Sequence, residues 1–251
     1  VLTNIRYILL CALKDRLFYG LLLLLLAIAL LSGMLGGTSF IEEKEMSVVF
    51  TAAASRLMLV IASVVFVCFY VQSSFDNKHM DVMLSRPISR DQVVLSHWLG
   101  FALISVLMVI PVTLCLVYIN PPNSDGLWLW SISMLWELWI VVGFALFASL
   151  ILSSAVVSVL ATLAFYVASR MMILFIMTAE RVTASGKMPG VRQTIEGIST
   201  LMPRLDLFAH SEWLIYGMHE KYPFSLLMGQ TCLFVSLLIL LCIFDFRKKQ
   251  F

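Results

Sequence analysis

Residues 76–98 read DNKHMDVMLSRPISRDQVVLSHW, the most polar stretch in the first half of the chain. Six of its residues are charged, three of each sign, and a long apolar run lies on either side. The chain around it is too oily for a soluble protein. Hydrophobic residues fill 61% of the 251 positions, charged residues only 13%, and the mean hydropathy is +0.98. A soluble domain carries roughly a quarter charged and about half apolar residues. So few charges cannot cover a water-facing surface. The runs flanking the quoted stretch therefore read as membrane spans, and the stretch itself as the polar connector between two of them.

A span needs roughly 20 mainly apolar residues. Six such runs lie near 17–38, 57–75, 98–119, 128–152, 155–177 and 223–244. The expected fold is an all-α integral membrane protein of six transmembrane helices, with residues 1–251 forming a single transmembrane domain. Over 1–16, Ile5, Ile8, Leu9, Ala12 and Leu13 recur at helical spacing among Arg6, Lys14, Asp15 and Arg16. That pattern predicts a helix in the membrane interface; the alternative is that these residues are the first turns of span 1. Charges scattered through this segment, with no small-residue cleavage site after it, argue against a signal peptide. Gly33 and Gly37 share one face of span 1, a spacing that allows close helix contact. Ser153 and Ser154 leave room only for a very tight turn between spans 4 and 5.

Lysine and arginine set the orientation. With the N-terminus inside, segments 1–16, 76–97 and 244–251 hold nine basic residues, and the longer outer segments hold seven. Both termini are therefore expected in the cytoplasm and segment 178–222 outside. Trp128, Trp130, Trp136 and Trp139 crowd the outer half of span 4, and Trp98 sits at the inner edge of span 3. Indole rings favour the headgroup level; for some of the four, helix packing is the alternative.

Within the connector, Met80, Met83 and Leu84 fall at i, i+3 and i+4, one side of a short helix over 76–86. Pro87 disfavours helix at Arg86, so that helix stops there. Ser89 followed by Gln92 is a capping box that starts a new helix running into span 3. The connector is thus a short helix, a stiff corner and a capped helix start, or simply a charged loop shaped by a turn.

The stretch MLSRPISRDQVVLSHWLG (83–100) resembles the loop between spans 2 and 3 of type-2 ABC (ATP-binding cassette) transporter permeases, whose familiar pattern is Ser-Arg-Pro-(Ile/Val)-Ser-Arg, here Ser85 to Arg90. The layout of six spans with a long outer segment before the last is also similar, as is LMPRLDLF (201–208) to the family's proline-containing stretch there. The permeases grouped with multicopper-enzyme maturation are the most similar branch. The chain departs from the pattern at Lys78-His79, where the family has Gly-Thr, and at Ser96-His97, where Gly-Lys is common. The resemblance implies a cytoplasmic coupling helix seated in a groove of a separate ATPase. Met80, Met83 and Leu84 would be its apolar anchors, Asp81, Arg86 and Arg90 its polar rim, and Pro87 its corner. It also implies a dimer of permeases, most simply a homodimer, with two ATPase copies and outer-side helices between spans 5 and 6. The location implied is the bacterial inner (cytoplasmic) membrane.

The chain has no G-x-x-x-x-G-K-[ST] phosphate loop. ATP hydrolysis, with its Mg, is expected on the partner, and this chain is expected to be no enzyme and to hold no cofactor. The expected function is the membrane-spanning subunit of an ATP-driven exporter. The alternative is a polytopic partner that recruits an ATPase for envelope or cofactor assembly rather than transport. An ion-coupled transporter would call for several intramembrane ionisable groups and a repeat, and only Glu137 and Arg170 qualify. These two are the candidate translocation-path residues. Glu137 would contact substrate or cation near the outer mouth, or else sit hydrated near the interface; Arg170 would pair with it or snorkel. The histidines, methionines and five cysteines follow no metal-ligand spacing. A net charge of +2 gives no reason to expect nucleic acid.

Overall fold

The computed structural model describes residues 2–14, 19–20, 23–24, 27, 43–76, 89–119, 124–184, 202–208, 210–216 and 224–248. These residues are almost entirely helical, with no strand among them. In chain order the helices are α1 (Leu2–Lys14), α2 (Glu43–Asp76), α3 (Arg90–Ile119), α4 (Ser124–Ile151), α5 (Ala155–Arg170), α6 (Met172–Ala184), a 3-10 turn (Leu205–Leu207), α7 (Trp213–Tyr216) and α8 (Phe224–Lys248). Among the described residues four helices are long and apolar enough to cross a membrane, or five if the bent pair α5–α6 counts as one span. The four are Val48–Asp76, Arg90–Val117, Gly126–Ile151 and Phe224–Lys248. The expected first span, 17–38, lies almost wholly outside the described residues.

Helix α4 is the centre. It packs against α2, α3, α5, α7 and α8, and most of it is buried. Ile140, Val141 and Ala145 are shut off completely. α8, by contrast, is mostly exposed along its apolar flank, with Leu233, Leu240 and Phe244 open to the surroundings. A helix of this kind meets lipid, where exposed leucine costs nothing. α1 lies against α3, with Ile8 and Ala12 buried and Tyr7 and Leu10 outward. Gly100 makes that contact possible: a Cβ there would come within 3.0 Å of the Ile8 side chain. A helix over the N-terminal segment is as expected, described from Leu2 to Lys14.

The bundle has two distinct ends. At one end Gln72 near the close of α2 donates to the Ser153 carbonyl at 2.9 Å, in the tight corner between α4 and α5. The start of α3 meets the close of α8 at that same end. The expected cap is present, with the Ser89 hydroxyl accepting from the Gln92 amide at 3.3 Å. At the opposite end Thr113 of α3 meets Ser131 of α4 at 3.1 Å, and segment 202–216 packs into the bundle beside α4 and α5.

Two expectations need correction, and for the tryptophans the packing alternative holds in three of four. The span placed at 155–177 is two helices meeting at Met171 with a 41° bend. The span placed at 57–75 begins earlier, so Arg56, counted with the outer loop, lies inside the apolar stretch Val48–Asp76. Of the tryptophans in α4, Trp128 is exposed, but Trp130 is fully buried, Trp136 rests on Phe224 at 4.6 Å between centroids, and Trp139 meets Trp98 at 6.3 Å. The last three are packing residues.

Segment 202–216 approaches α4 through Gly126. A Cβ at Gly126 would fall 2.0 Å from the Trp213 carbonyl oxygen, a position backbone cannot yield cheaply. Gly126→Ala is therefore expected to lower stability by about 1–3 kcal/mol through overpacking. Gly229→Ala in α8, with nothing within 4 Å, should be neutral or gain up to about 1 kcal/mol of helix propensity. Thermal unfolding of both variants in detergent checks the contrast.

Candidate functional site

Of the two alternatives for Arg170, pairing and snorkelling, the structure shows pairing: it meets Glu137. Glu137 lies fourteen residues before the end of α4 and Arg170 fifteen after the start of α5. At about 1.5 Å per residue both sit roughly 21–23 Å from the corner that joins their helices. In a hydrocarbon layer about 30 Å thick that depth falls in the half away from the corner. The Arg170 Nη1 atom stands 3.0 Å from Glu137 Oε1. The carboxylate is completely buried, while the Arg170 side chain keeps 23% of its surface. The reading of Glu137 as a hydrated interfacial residue is thus set aside.

The same Nη1 atom also donates to the carbonyls of Leu205 at 2.7 Å and Phe208 at 3.3 Å. One guanidinium therefore ties together α4, α5 and the 3-10 turn. This accounts for the bend. Residues 155–184 contain neither Gly nor Pro, and sharp kinks otherwise need such a breaker or a disturbed hydrogen-bond ladder. The ladder here tightens at the break, with the Leu174 amide donating to Met171 three residues back at 3.0 Å. The break falls on the residue after Arg170.

Two further side chains lie near the same carboxylate: Tyr166 of α5, within hydrogen-bonding reach, and Arg56 of α2, within electrostatic range. Neither figured in the sequence-based site. Tyr166 was legible as a tyrosine four residues before Arg170, on its face of the helix; Arg56 was hidden by its assignment to a loop. The buried face of α5 is polar along its length: Ser158, Thr162, Tyr166 and Ser169.

Around this cluster segment 202–216 adds its own charges. Arg204 and Asp206 pair at 3.1 Å. His210 packs its ring against Trp213 at 5.2 Å. Burial first, and then the positive charges of Arg170 and Arg56, hold its imidazole below the usual 6.5, against the weaker opposite pull of Glu212 and Asp206.

Of the connector residues, Met80, Asp81, Met83, Leu84, Arg86 and Pro87 lie outside the described residues. Arg90 is described. Its Nη1 donates to the carbonyls of Phe246 and Arg247, both at 3.2 Å, which closes the C-terminal turn of α8. Asp91 beside it takes both ends of the Arg247 guanidinium, one bond at 2.9 Å. The capped start of α3 is thereby clamped to the end of α8. Among the described residues no group of His, Cys, Asp and Glu could hold a metal ion. No family model matches the chain, and no curated protein matches it.

Two predictions follow from the geometry. Arg170→Ala leaves a buried carboxylate without its cation and should cost on the order of 3 kcal/mol. Glu137→Gln keeps an acceptor for Arg170 and should cost clearly less, so the two unfolding temperatures should differ in that order. His210 accepts a proton less readily folded than unfolded. Stability should therefore fall as pH drops through and below the ordinary imidazole range, because the unfolded chain binds the proton first. His210→Gln should flatten that part of the stability–pH profile.

Proposed function

We propose that this chain is the membrane-spanning permease subunit of an ATP-driven exporter of the type-2 ABC class, in a bacterial inner membrane. In this reading six spans form one permease domain, with the N-terminal helix, the connector and the C-terminus at the cytoplasmic face. The segment between spans 5 and 6 belongs to the outer side, with its part 202–216 dipping into the bundle from there. Two permeases and two copies of a separate ATPase make the working complex.

The observation that carries this reading is the junction beyond the Ser85–Arg90 motif. Ser89 caps α3, and Arg90 with Asp91 fastens that cap to the last turn of α8. A displacement of the connector at this point moves two helices together. A loop that only joined two spans would have no use for such a clamp. The gathering of Arg90, Arg247 and Lys248 where the start of α3 meets the end of α8 supports the cytoplasmic assignment of that end. Glu137 and Arg170 are then fixed charges in the outer half of the bundle, where a translocation path would open.

The docking role is tested by replacing the apolar anchors. Met83→Asp or Leu84→Asp is expected to abolish co-purification of the ATPase from native membranes while the permease remains monodisperse and helical. Undiminished recovery of the ATPase would contradict the docking role. Hydrolysis by the intact complex that responds to added substrate separates an exporter from a membrane anchor that only recruits the ATPase.

A further inference from the structure

Segment 202–216 is held in the bundle at two points. Arg170 Nη1 donates to the carbonyls of Leu205 and Phe208, and the Trp213 carbonyl fills the space that Gly126 leaves on α4. His210 lies between these points in the chain. Its carbonyl accepts from the Trp213 amide at 3.2 Å, and its ring rests on the Trp213 ring. Its Nε2 atom is buried and has no hydrogen-bond partner among the described residues. The segment has little structure of its own, a 3-10 turn of three residues and a helix of four. Helices so short do not persist alone, so their hydrogen bonds last only while the segment is seated.

A neutral imidazole fits this place far better than an imidazolium. Charged groups act on the ring from the neighbouring helices and from its own segment. Arg170 of α5 and Arg56 of α2 repel a positive ring, while Glu212 and Asp206 attract it more weakly. Asp206 is already engaged by Arg204 at 3.1 Å. Glu137, which α4 contributes to the cluster, is engaged by Arg170. Protonation makes both ring nitrogens donors, and the buried Nε2 has no acceptor among the described residues. A buried charge without a partner either loses its proton or moves to water. Movement is open to this segment. Leu205, Phe208 and Leu214 keep it seated by apolar burial, but its polar hold on α5 is a single guanidinium nitrogen.

We propose that segment 202–216 is a proton-sensitive cover on the Arg170 end of the Glu137–Arg170 pair, with His210 as its trigger. A proton on His210 shifts the segment toward an unseated state. Arg170 then loses the carbonyls of Leu205 and Phe208, and water reaches the pair from that side. The change is confined to the segment, and the helices that form the bundle stay in place. The device belongs to the chain alone and stands whether or not an ATPase drives it.

Hydrogen exchange read by mass spectrometry, on the whole chain in detergent, measures the unseated fraction. Rates corrected for the intrinsic pH dependence of amide exchange are compared between about pH 7.5 and about pH 5.5, a range in which imidazole titrates and ordinary carboxylates stay ionised. Peptides covering 205–208 and 213–216 are expected to exchange about tenfold faster at the lower pH, with α3 and α4 unchanged. His210→Gln, neutral throughout, should remove that dependence, and His210→Asn takes its place if the glutamine variant does not fold. The proposal is overturned if the wild-type segment is equally protected at both pH values. It is also overturned if the neutral variant responds as the wild type does, or if α3 and α4 lose protection to the same extent as the segment.

Discussion

A single nitrogen of Arg170 holds the far half of this bundle in its arrangement. A carboxylate inside the hydrocarbon region costs about 2.5–3.5 kcal/mol on insertion scales, and Glu137 is completely buried. Arg170 compensates for it at 3.0 Å. The same nitrogen serves two carbonyls in the irregular chain of 205–208. Backbone at membrane depth survives only where its polar groups are satisfied by protein or water, so segment 202–216 can enter the bundle because Arg170 is there to receive it. The bend after Arg170 belongs to the same arrangement. It ends α5 where the guanidinium must reach inward, and α6 sets off in a new direction.

The connector end works on a different principle. There the groups are exposed or half-exposed, and their role is to fasten rather than to offset burial. The Asp91–Arg247 pair is open to solvent, where ion pairs contribute little to stability. Its value lies in geometry, because it and the two bonds from Arg90 make the start of α3 and the end of α8 one piece. Both helices pack on α4, which carries Glu137. In the proposed exporter the two ends are joined by rigid helices alone, with α4 as the shared wall between a driven end and a charged one.

Much of this was legible in the sequence, for local reasons. The apolar runs from Val48 onward, the serine corner at 153–154 and the Ser89 cap each depend on residues near one another in the chain, and the described structure contains them. What was not legible depended on partners distant in sequence. Nothing in ASRMMILF announces a bend, because the cause lies in Glu137 and in carbonyls some 35 residues further on. Arg56 read as a loop residue because a charge normally ends a span; here it lies within electrostatic range of the Glu137 carboxylate on α4. Trp130 read as an interfacial residue because its position in the bundle was unknown. The closeness of Gly126 to Trp213 could not be read from either neighbourhood.

In the proposed exporter a separate ATPase acts on this chain through the connector. A photo-crosslinking amino acid placed at Met83 in native membranes reports what that surface touches. The expected crosslinked product is a soluble protein carrying a nucleotide-binding phosphate loop, captured from the cytoplasmic side. Crosslinks to lipid or to other copies of this chain alone, or labelling of position 83 by a membrane-impermeant reagent added from outside, would contradict it.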